Sequence, residues 1–491
     1  MTLSKTEYLM FLKHPAWLWL KKHDKSKLPV VDDNLQAIFD TGHMFEKYAE
    51  QLFPGIITVG FSSFDEYSSM PARTQSILDQ GAKVISQARF ESGNITCICD
   101  VLVRISADTF DLYEIKSSTK VKPEHEFDLA FQMVVLEACG YSINKIAVIH
   151  VNHDYVRDGE IKADQLTTTS DITEQVKKKR DETKANIQKA LEIIASPNIP
   201  DISPSHFRGE SFRDWLDVYR NLTTVSPESI YDLFMVNADK IGKLEELKIE
   251  LLIDINDEFP LSEKQRLQVQ ATKDGKEIID KVQIRKFIKE LEYPLYFLDY
   301  ETLSSVVPYF DGLSPYQQIP FQYSLHVLDK LNGDLKHFEY LHKVNSNPAK
   351  GLSESLKSDI GTKGTVLTWN ESFEKNCNTS LGKLAPEFGT FYEELNERIC
   401  DLMIPFSSNW YVHKDFGGSA SIKKVLPVLV TELSYKELRI NEGATAQRLW
   451  MEAVLDSKRD DAKEKILSDL EEYCKLDTLA MVEIYKQLLI L

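Results

Sequence analysis

The segment ITCICDVLVRISADTFDLYEIK, residues 95–116, constrains the fold more than any other part of the chain. Apolar and polar residues alternate in both halves, and a polar stretch around Ala107 separates them, which is typical of a β-hairpin. A turn centred on Ala107 places Asp100 opposite Glu114. Glu114 and Lys116 share one face of their strand, because alternate residues of a strand point to the same side. The hairpin therefore predicts two carboxylates and one amine at a single place.

This set of side chains suits metal-dependent hydrolysis of phosphodiester bonds. Carboxylate oxygens hold Mg²⁺, and the metal stabilises charge on the scissile phosphate and activates water. Lys116 is a candidate to orient or deprotonate that water, or to stabilise the developing negative charge. Glu46, on an earlier predicted helix, is a candidate third ligand, and Asp128 and Gln132 share one face of a later helix. The alternative interpretation of the hairpin is a cross-strand surface pair without a function.

A second acidic pattern is spread over three segments of the C-terminal part. Asp299 and Glu301 share a face at the end of the apolar strand YPLYFLDYET. A later strand, TVLTWN, leads into NESFE, which ends at Glu374. Tyr473 and Asp477 are four residues apart in the last predicted helix and lie on one of its faces. Each segment alone is common, but their order predicts a functional set.

The second pattern fits phosphoryl transfer by two metal ions. Ions about 3.5–4 Å apart need a bridging carboxylate and flanking oxygen ligands. Asp299 is the natural bridge, and Glu301 and Asp477 would bind the metal that carries the attacking water. Glu374 would support the second metal, and Tyr473 could orient the water.

The hairpin and the helix DLAFQMVVLEACGY resemble the RecB-like exonuclease branch of the PD-(D/E)XK nuclease superfamily. Asp100 matches the metal-binding aspartate of that superfamily, and Glu114 with Lys116 matches its E-x-K element. Glu46, in GHMFE, stands where the branch has a histidine or glutamate ligand, and Gln132 matches the glutamine of the helix motif. The resemblance implies Mg²⁺ or Mn²⁺ bound by the three carboxylates, with Lys116 and Gln132 as catalytic residues.

Related CRISPR-associated exonucleases also bind an iron–sulfur cluster through four cysteines, one near the N-terminus and three after the nuclease core. His14 occupies the N-terminal position in this chain, and no cysteine occurs between residues 140 and 376. We therefore expect no iron–sulfur cluster. Cys97 and Cys99 alternate along a strand, and we expect them to pack in the core and not to bind metal.

The three C-terminal segments resemble the DEDD exonucleases of the ribonuclease H-like superfamily. Asp299 and Glu301 match the first motif. The segment NESFE matches the second motif, with Glu374 where the family has aspartate. Tyr473 and Asp477 match the third motif in its tyrosine form. The resemblance implies four metal ligands and a 3'–5' exonuclease activity in which Tyr473 is a catalytic residue.

Over nearly its full length the chain is similar to a group of bacterial proteins that fuse a RecB-like nuclease domain to a ribonuclease H-like domain with a domain-of-unknown-function label. The segments that carry this resemblance are AFQMVVLEACGY, VIHVNHDYVRDGEI, FLDYET, DGLSPYQQIPFQYSLH, WNESFE and SIKKVLPVL. It implies an α/β multidomain chain with a PD-(D/E)XK restriction-endonuclease-like α/β core in residues 1–200 and a ribonuclease H-like α/β domain in 291–491. A helical linker, as a degenerate helix-hairpin-helix or a purely structural segment, is expected in 201–290.

The formal net charge of −18 argues, by itself, against nucleic acid, because the usual footprint of a nucleic-acid binder is a basic excess. Seven of the acids are assigned to metal sites, where bound dications reverse the local sign. The charge therefore does not exclude single-stranded DNA or RNA as substrate. Lys177, Lys178, Lys179 and Arg180 are candidate phosphate contacts, although a solvated charge run is the commoner meaning.

Six cysteines in 491 residues indicate a reducing compartment, and no stretch approaches the roughly 20 apolar residues of a membrane span. We therefore expect a cytoplasmic protein without membrane contact. The leading hypothesis is a metal-dependent nuclease with two candidate sites. The alternatives are a chain in which one domain is catalytic and the other binds nucleic acid, a non-catalytic nucleic-acid scaffold, and a hydrolase of small phosphoesters.

Overall fold

The structure is a computed structural model that describes residues 1–456 and 458–491. It is an α/β protein, as the sequence predicts, and it contains two mixed sheets. The chain forms two compact units, the first of Met1–Val225 with Asn237–Gly242 and the second of Ser226–Val236 with Lys243–Leu491. The predicted linker segment, residues 201–290, is divided between these two units.

The first unit contains one mixed sheet, whose described strands run in the order β2-β3-β4-β5-β6-β7, with β1 paired to β4. The neighbours β5 and β6 are parallel, whereas β4 is antiparallel to both β3 and β5. The strands are β1 (Leu3–Ser4), β2 (Ile57–Thr58), β3 (Val84–Ser92), β4 (Ile95–Arg104), β5 (Thr109–Lys116), β6 (Ser142–Val151) and β7 (Thr167–Asp171).

In the part of the chain that the structure describes, the first unit contains eight α-helices and the start of a ninth. The helices are α1 (Lys5–Lys13), α2 (Pro15–His23), α3 (Asp33–Ala49), α4 (Phe64–Asp79), α5 (Pro123–Ala138), α6 (Ala163–Leu166), α7 (Thr173–Ala195) and α8 (Phe212–Leu222), and α9 (Ala238–Glu246) begins in this unit. The sequence analysis missed α4, which has Pro71 inside it. Ser63 caps α4, and Met70, Thr74 and Leu78 are buried at four-residue spacing, so its periodicity was present in the sequence.

The predicted hairpin register is the one observed. Val101 pairs with Tyr113 and Arg104 pairs with Phe110, so partners lie at equal distances from residue 107. The β4–β5 pairing ends at Val101. Asp100, the preceding residue of β4, has no ladder partner on β5. The first acidic cluster lies at this point.

The second unit contains a five-stranded sheet in the order β11-β10-β9-β12-β13, and a separate pair of β8 with β14. The strands β9, β12 and β13 are parallel, and β10 is antiparallel to β9 and β11. All ten residues of β10 are buried, because helices cover this sheet. The strands are β8 (Ile278–Ile279), β9 (Leu295–Leu303), β10 (Ile319–Leu328), β11 (Leu335–Leu341), β12 (Thr365–Thr368), β13 (Ile399–Asp401) and β14 (Tyr411–Val412).

The longest helix of the second unit, α18, packs against β9, β10 and β11. The helices of this unit are α10 (Glu263–Asp274), α11 (Lys281–Lys289), α12 (Ala349–Asp359), α13 (Glu371–Leu384), α14 (Gly389–Glu397), α15 (Ile404–Ser407), α16 (Ile422–Leu429), α17 (Gly443–Trp450) and α18 (Lys463–Leu489). A π-helical turn, Met451–Leu455, extends α17.

Residues 225–262 have one α-helix, α9, where a helix-hairpin-helix needs two. Lys248 has a φ of 57°, in the left-handed region, shortly after α9 ends. The chain then returns to pair Leu251 with Ser229 as an isolated bridge. A short 3-10 turn, Leu252–Asp254, follows this bridge where a second α-helix would be needed.

Gly364 offers a test of the packing before β12. Its φ is +92°, and a Cβ at this position would overlap the carbonyl oxygen of Pro294. We expect Gly364→Ala to lower the free energy of unfolding of the second unit by about 3 kcal/mol, from backbone strain and overpacking together. Urea-induced unfolding measures the loss.

Gly389→Ala is the matched control, because Gly389 has a φ of −53° and the atom nearest to an added Cβ is 4.0 Å away. This substitution should leave stability unchanged or raise it by about 0.5 kcal/mol. Equal losses in the two variants would contradict the packing described for Gly364.

Candidate functional site

The first acidic cluster is built where β5 diverges from β4. Past the last ladder pair, the Asp100 carboxylate accepts a hydrogen bond from the backbone N–H of Ile115, at 2.8 Å. Glu114 and Lys116 project from the same face of β5, and their Oε1 and Nζ atoms are 2.7 Å apart. The Asp100 side chain thus links β4 to β5 at a point where the backbone ladder between these strands has ended.

Helix α5 completes this cluster from the other side. Lys116 Nζ also donates to Asp128 Oδ2 at 2.8 Å. The amide of Gln132 donates to Glu114 Oε2 at 2.7 Å and to Asp128 Oδ1 at 2.9 Å. The structure therefore brings together the predicted site residues Asp100, Glu114, Lys116 and Gln132. Asp128, which the sequence places on the same helix face as Gln132, joins them.

Lys5 is a member of this cluster that the sequence analysis missed. It is the first residue of α1 and directly follows β1, which is held beside β4 by the pairing of Leu3 with Ile95. Lys5 Nζ lies 2.8 Å from Glu114 Oε1 and 3.7 Å from Asp128 Oδ1. No sequence signal separates this lysine from an ordinary surface lysine at a helix start.

Charges inside the cluster compensate one another. Burial alone would raise the pKa of Glu114, but the charges of Lys116 and Lys5 hold it well below its usual range. Burial and the charge of Glu114 raise the pKa of Asp100 to about 7. Burial opposes the charge of both lysines, yet the neighbouring carboxylates raise the pKa of Lys5 and of Lys116.

Glu46 lies on α3 at the margin of this cluster. Burial raises its pKa, and the charge of His43 lowers it while that of Glu114 raises it. Within the described residues, no hydrogen bond or ion pair joins the Glu46 carboxylate to Asp100 or Glu114. Glu46 is therefore close enough for the charge of Glu114 to raise its pKa, but it is not part of the hydrogen-bonded cluster of Glu114, Lys116, Asp128 and Gln132.

The four basic residues proposed as phosphate contacts lie on α7. Arg180 pairs with Glu137 at 2.8 Å, and Lys177 Nζ lies 3.6 Å from Glu174. Lys179 Nζ lies 4.5 Å from the centre of the Phe127 ring, and Lys178 is exposed. Acidic neighbours therefore offset part of the positive charge of this surface.

The second acidic cluster lies at the carboxyl ends of the parallel strands β9, β12 and β13. Asp299 and Glu301 belong to β9, Glu374 lies in the first turn of α13 after β12, and Asp401 ends β13. Parallel strands bring such residues to one edge of a sheet. These acids are far apart in the sequence but lie close together in the fold, because the parallel strands end at the same edge.

A cavity of about 300 Å³ opens at this edge. Asp299, Glu301, Tyr473 and Asp477, all predicted site residues, contribute to its wall, and Gln318 does so too. Glu374 is not among the described residues of the wall; it is buried, and its Oε2 atom has no hydrogen-bond partner in the described part of the chain.

The donor set of the cavity suits a hard cation. Among the described residues, a single set of three potential ligands, Asp299, Glu301 and Cys474, has its ligand atoms within 4.8 Å of one another. Burial raises the pKa of the Cys474 thiol well above its usual value, so the sulfur stays protonated and is a poor ligand. The carboxylates could therefore hold a cation such as Mg²⁺ or Mn²⁺, which prefers oxygen.

The acids around the cavity repel one another. Burial and the charge of Asp477 raise the pKa of Asp299 well above its usual value, and burial and the charge of Asp299 do the same for Glu301. Burial raises the pKa of Asp477 to about 6, and burial and the charge of Asp299 raise that of Glu374 to about 9. A bound cation would relieve this repulsion, because it reverses the local potential.

Two further residues of this site were missed from the sequence. Tyr435 donates a hydrogen bond of 2.6 Å to Asp477 Oδ1. Lys423 Nζ donates to the carbonyl of Asn441 at 2.6 Å and lies 3.5 Å from the Tyr473 hydroxyl. Lys423 is adjacent to another lysine in SIKKVLPVL, so the sequence alone does not distinguish it.

Two glutamines that follow Asp299 and Glu301 in the chain have separate roles. Gln318 accepts a hydrogen bond from Thr302 at the cavity wall. Gln322, opposite Glu301 in the sheet, is buried and donates to the carbonyl of Leu470 on α18. It therefore ties the helix to the sheet.

His14 stands where related exonucleases have a cysteine that binds the iron–sulfur cluster. It is buried inside the first unit. Its Nδ1 accepts from the backbone N–H of Ala16 at 3.1 Å, and its Nε2 is 3.0 Å from the carbonyl of Ser203. Its ring stacks on Trp215 with centroids 4.0 Å apart. Both ring nitrogens are therefore engaged in the neutral form. Cys97 and Cys99 are buried in the core of the same unit.

The model of a domain of unknown function, DUF2779, matches residues 296–421. This range includes Asp299, Glu301 and Glu374 and ends before Lys423 and Asp477. The chain is also 27% identical over 209 residues to the uncharacterized protein MG366 of Mycoplasma genitalium, a match that covers 38% of this chain and 31% of that protein.

Two other relatives are an MG366 homolog of Mycoplasma pneumoniae, 28% identical over 211 residues (39% of this chain, 32% of that protein), and the uncharacterized protein UU173 of Ureaplasma parvum, 25% identical over 221 residues (40% of this chain, 31% of that protein). The chain thus spans about a third of the length of these relatives. None of the helices in the described residues is long and apolar enough to cross a membrane.

His14 predicts a pH dependence of stability. Burial lowers its pKa from 6.5 to about 4, so its contribution to stability is complete above pH 6.5 and is lost as the pH falls toward 4. Between pH 7.5 and 4.5 the wild type should lose about 2 kcal/mol more than His14→Asn, which keeps an acceptor for the Ala16 N–H but cannot titrate. Urea-induced unfolding at both pH values measures the difference; an equal loss would mean that His14 does not stay neutral.

The second cluster predicts stabilisation by divalent ions. Mg²⁺ or Mn²⁺ at 100 times its dissociation constant should stabilise the wild type by about 2.7 kcal/mol, seen as a higher melting temperature. Asp299→Asn should be at least as stable as the wild type without metal, because a repelling charge is removed, and should lose the response.

Asp469→Asn is the control for this experiment. Asp469 is a buried acid on the same helix as Asp477, but its carboxylate pairs with Lys465 and Arg439. This variant should keep the metal response. A response that survives in Asp299→Asn would place the metal elsewhere.

Proposed function

We propose that the protein is a metal-dependent nuclease that hydrolyses phosphodiester bonds of single-stranded DNA or RNA exonucleolytically, at the cavity of the second unit. The observation that carries this proposal is the set of mutually repelling carboxylates, Asp299, Glu301 and Asp477, around one cavity. The position of Asp299 and Glu301 on β9, at the carboxyl ends of the parallel strands, is compatible with the ribonuclease H-like domain that the sequence resembles. The Mg²⁺ or Mn²⁺ ions are part of the proposal.

The residues of the cavity divide the work of this reaction. Asp299, Glu301 and Asp477 would hold the metal ions, which when bound activate water and stabilise charge on the phosphate. Tyr435 fixes the direction of the Asp477 carboxylate through its hydrogen bond. The buried Glu374 would support the metal site from behind Asp299, whose charge it senses.

Tyr473 and Lys423 supply the remaining groups. Burial and the charge of Asp477 raise the pKa of Tyr473, so its hydroxyl stays protonated and can donate a hydrogen bond to the attacking water or to a phosphate oxygen. Tyr473 is thus suited to orienting the water and not to deprotonating it. The ammonium of Lys423, next to that hydroxyl, can attract the phosphate.

The size of the cavity supports a single-stranded substrate. About 300 Å³ is at the lower limit of small-ligand sites, which suits one unpaired nucleotide. An end that enters one nucleotide at a time is the exonuclease mode.

The first acidic cluster favours a second candidate function for the N-terminal unit, binding of nucleic acid without hydrolysis. Its carboxylates are already paired with Lys5 and Lys116. Charge compensation of this kind weakens the case for metal and leaves two ammonium groups near the surface.

The test uses end-labelled single- and double-stranded DNA and RNA with Mg²⁺ or Mn²⁺. The wild type should release mononucleotides from single strands, and EDTA should abolish the release. Asp299→Asn and Asp477→Asn should each lower the rate by more than about a hundredfold, because loss of a ligand exceeds the typical cost of losing an outer contact. Asp469→Asn, the buried and ion-paired acid on α18, should retain activity.

The outcomes separate the alternatives. Cleavage that persists in Asp299→Asn but is lost in Lys116→Ala would place the activity in the first unit. Turnover of nucleotide monoesters without cleavage of any polymer would favour a hydrolase of small phosphoesters. Binding of strands without turnover in any metal would leave a nucleic-acid scaffold.

A further inference from the structure

We infer that Lys5 is a built-in counter-cation of the first acidic cluster and that it excludes divalent metal ions from it. The inference rests on the geometry of the first unit and does not depend on the proposed function of the second. It assigns to the start of α1 a role that no motif in the sequence marks.

The carboxylates of this cluster are already occupied by donors. Glu114 Oε1 accepts from two ammonium groups, Lys5 at 2.8 Å and Lys116 at 2.7 Å, and Glu114 Oε2 accepts from Gln132 at 2.7 Å. Asp128 has both oxygens within 2.9 Å of donors, Lys116 and Gln132. A metal ion bound at Glu114 Oε1 would have to displace one of the two ammonium groups, because both lone-pair sites of that oxygen are taken.

The backbone that carries Lys5 is firmly placed. Strand β1 pairs with β4 on one side, and Ser4 forms a reciprocal capping box with Glu7 at the start of α1. Lys22 ties the same segment down from α2, with its Nζ 2.6 Å from Glu7 Oε1 and 2.6 Å from the carbonyl of Thr2. The side chain of Lys5 is 18% exposed. Lys5 is therefore an ordered part of the cluster and not the end of a mobile tail.

The second cluster provides the contrast. There, Asp299 and Glu301 face each other and Asp477, and their pKa values are raised; in the first cluster the lysines hold the pKa of Glu114 below its usual range. Two ammonium groups beside Glu114 would also repel a dication directly. The residues of the first cluster thus do not fit a divalent ion while Lys5 is in place, despite the match of Asp100, Glu114 and Lys116 to a metal-binding motif.

Removing the Lys5 ammonium should open this cluster to metal. Without Lys5, Glu114 keeps Lys116 as its one charged partner, and a divalent ion can replace the missing charge. The experiment uses the full chain with Asp299→Asn and Asp477→Asn, so that the second cluster does not contribute to Mn²⁺ binding. Binding of Mn²⁺ is followed by electron paramagnetic resonance and by the melting temperature, with no assay of activity.

In this background we expect no saturable Mn²⁺ site while Lys5 is present. Adding Lys5→Met should create one site per chain, with affinity at least about tenfold higher than any residual binding, and Mn²⁺ should raise the melting temperature. Lys5→Arg, which keeps the positive charge, should behave like Lys5. Lys189→Met, at an exposed position of α7, is the control for loss of a lysine and should gain no site. Glu114→Gln combined with Lys5→Met should remove the new site.

Two results would overturn the inference: one Mn²⁺ bound at the same affinity with and without Lys5, or no site in Lys5→Met when circular dichroism shows a folded chain. If Lys5→Met does not fold, Lys5→Gln provides the same comparison with a neutral polar side chain. Failure of the nuclease proposal is a separate outcome, because it would appear as absent cleavage in the unaltered chain and would leave the Mn²⁺ stoichiometry of the first cluster unchanged.

Discussion

Buried negative charge is the constraint on which both candidate sites depend. A carboxylate withdrawn from water must gain a hydrogen bond, a counter-charge or a proton, since the bare ion is costly in a medium of low polarity. The first cluster meets this requirement internally, with Lys5 and Lys116 bound to Glu114. The second meets it only in part, through Tyr435 at Asp477 and through Lys423. The same type of side chain is therefore saturated in one unit and available in the other.

The two sheets produce these environments by different means. In the first unit, the divergence of β5 from β4 makes room for α1 to bring Lys5 to the carboxylates. In the second, three parallel strands end at one edge, and α18 covers that edge with Tyr473 and Asp477. The parallel arrangement collects Asp299, Glu374 and Asp401 at the carboxyl ends of the strands. The lysine nearest to them in the sequence, Lys375, pairs with Glu371 instead.

The parts that the sequence predicts are those governed by local periodicity. The symmetry of the hairpin about Ala107 is sufficient for the register that sets Asp100 against Glu114, and four-residue spacing is sufficient to align Tyr473 with Asp477. Lys5, Lys423 and Tyr435 could not be predicted in this way. They reach their clusters through long-range packing, and a lysine or tyrosine at such positions is usually an ordinary surface or core residue. Helix α4 was missed for a different reason, since Pro71 concealed a regular apolar period.

The distribution of counter-charges also changes the meaning of the motif in the first unit. An aspartate and E-x-K on a hairpin specify where carboxylates and an amine lie, but not which cation balances them. That choice is made by residue 5, about 95 positions before Asp100 in the chain. A lysine at this position and a metal ion would each compensate the buried carboxylates, and each would exclude the other. One side chain outside the motif therefore decides whether the motif is a metal site.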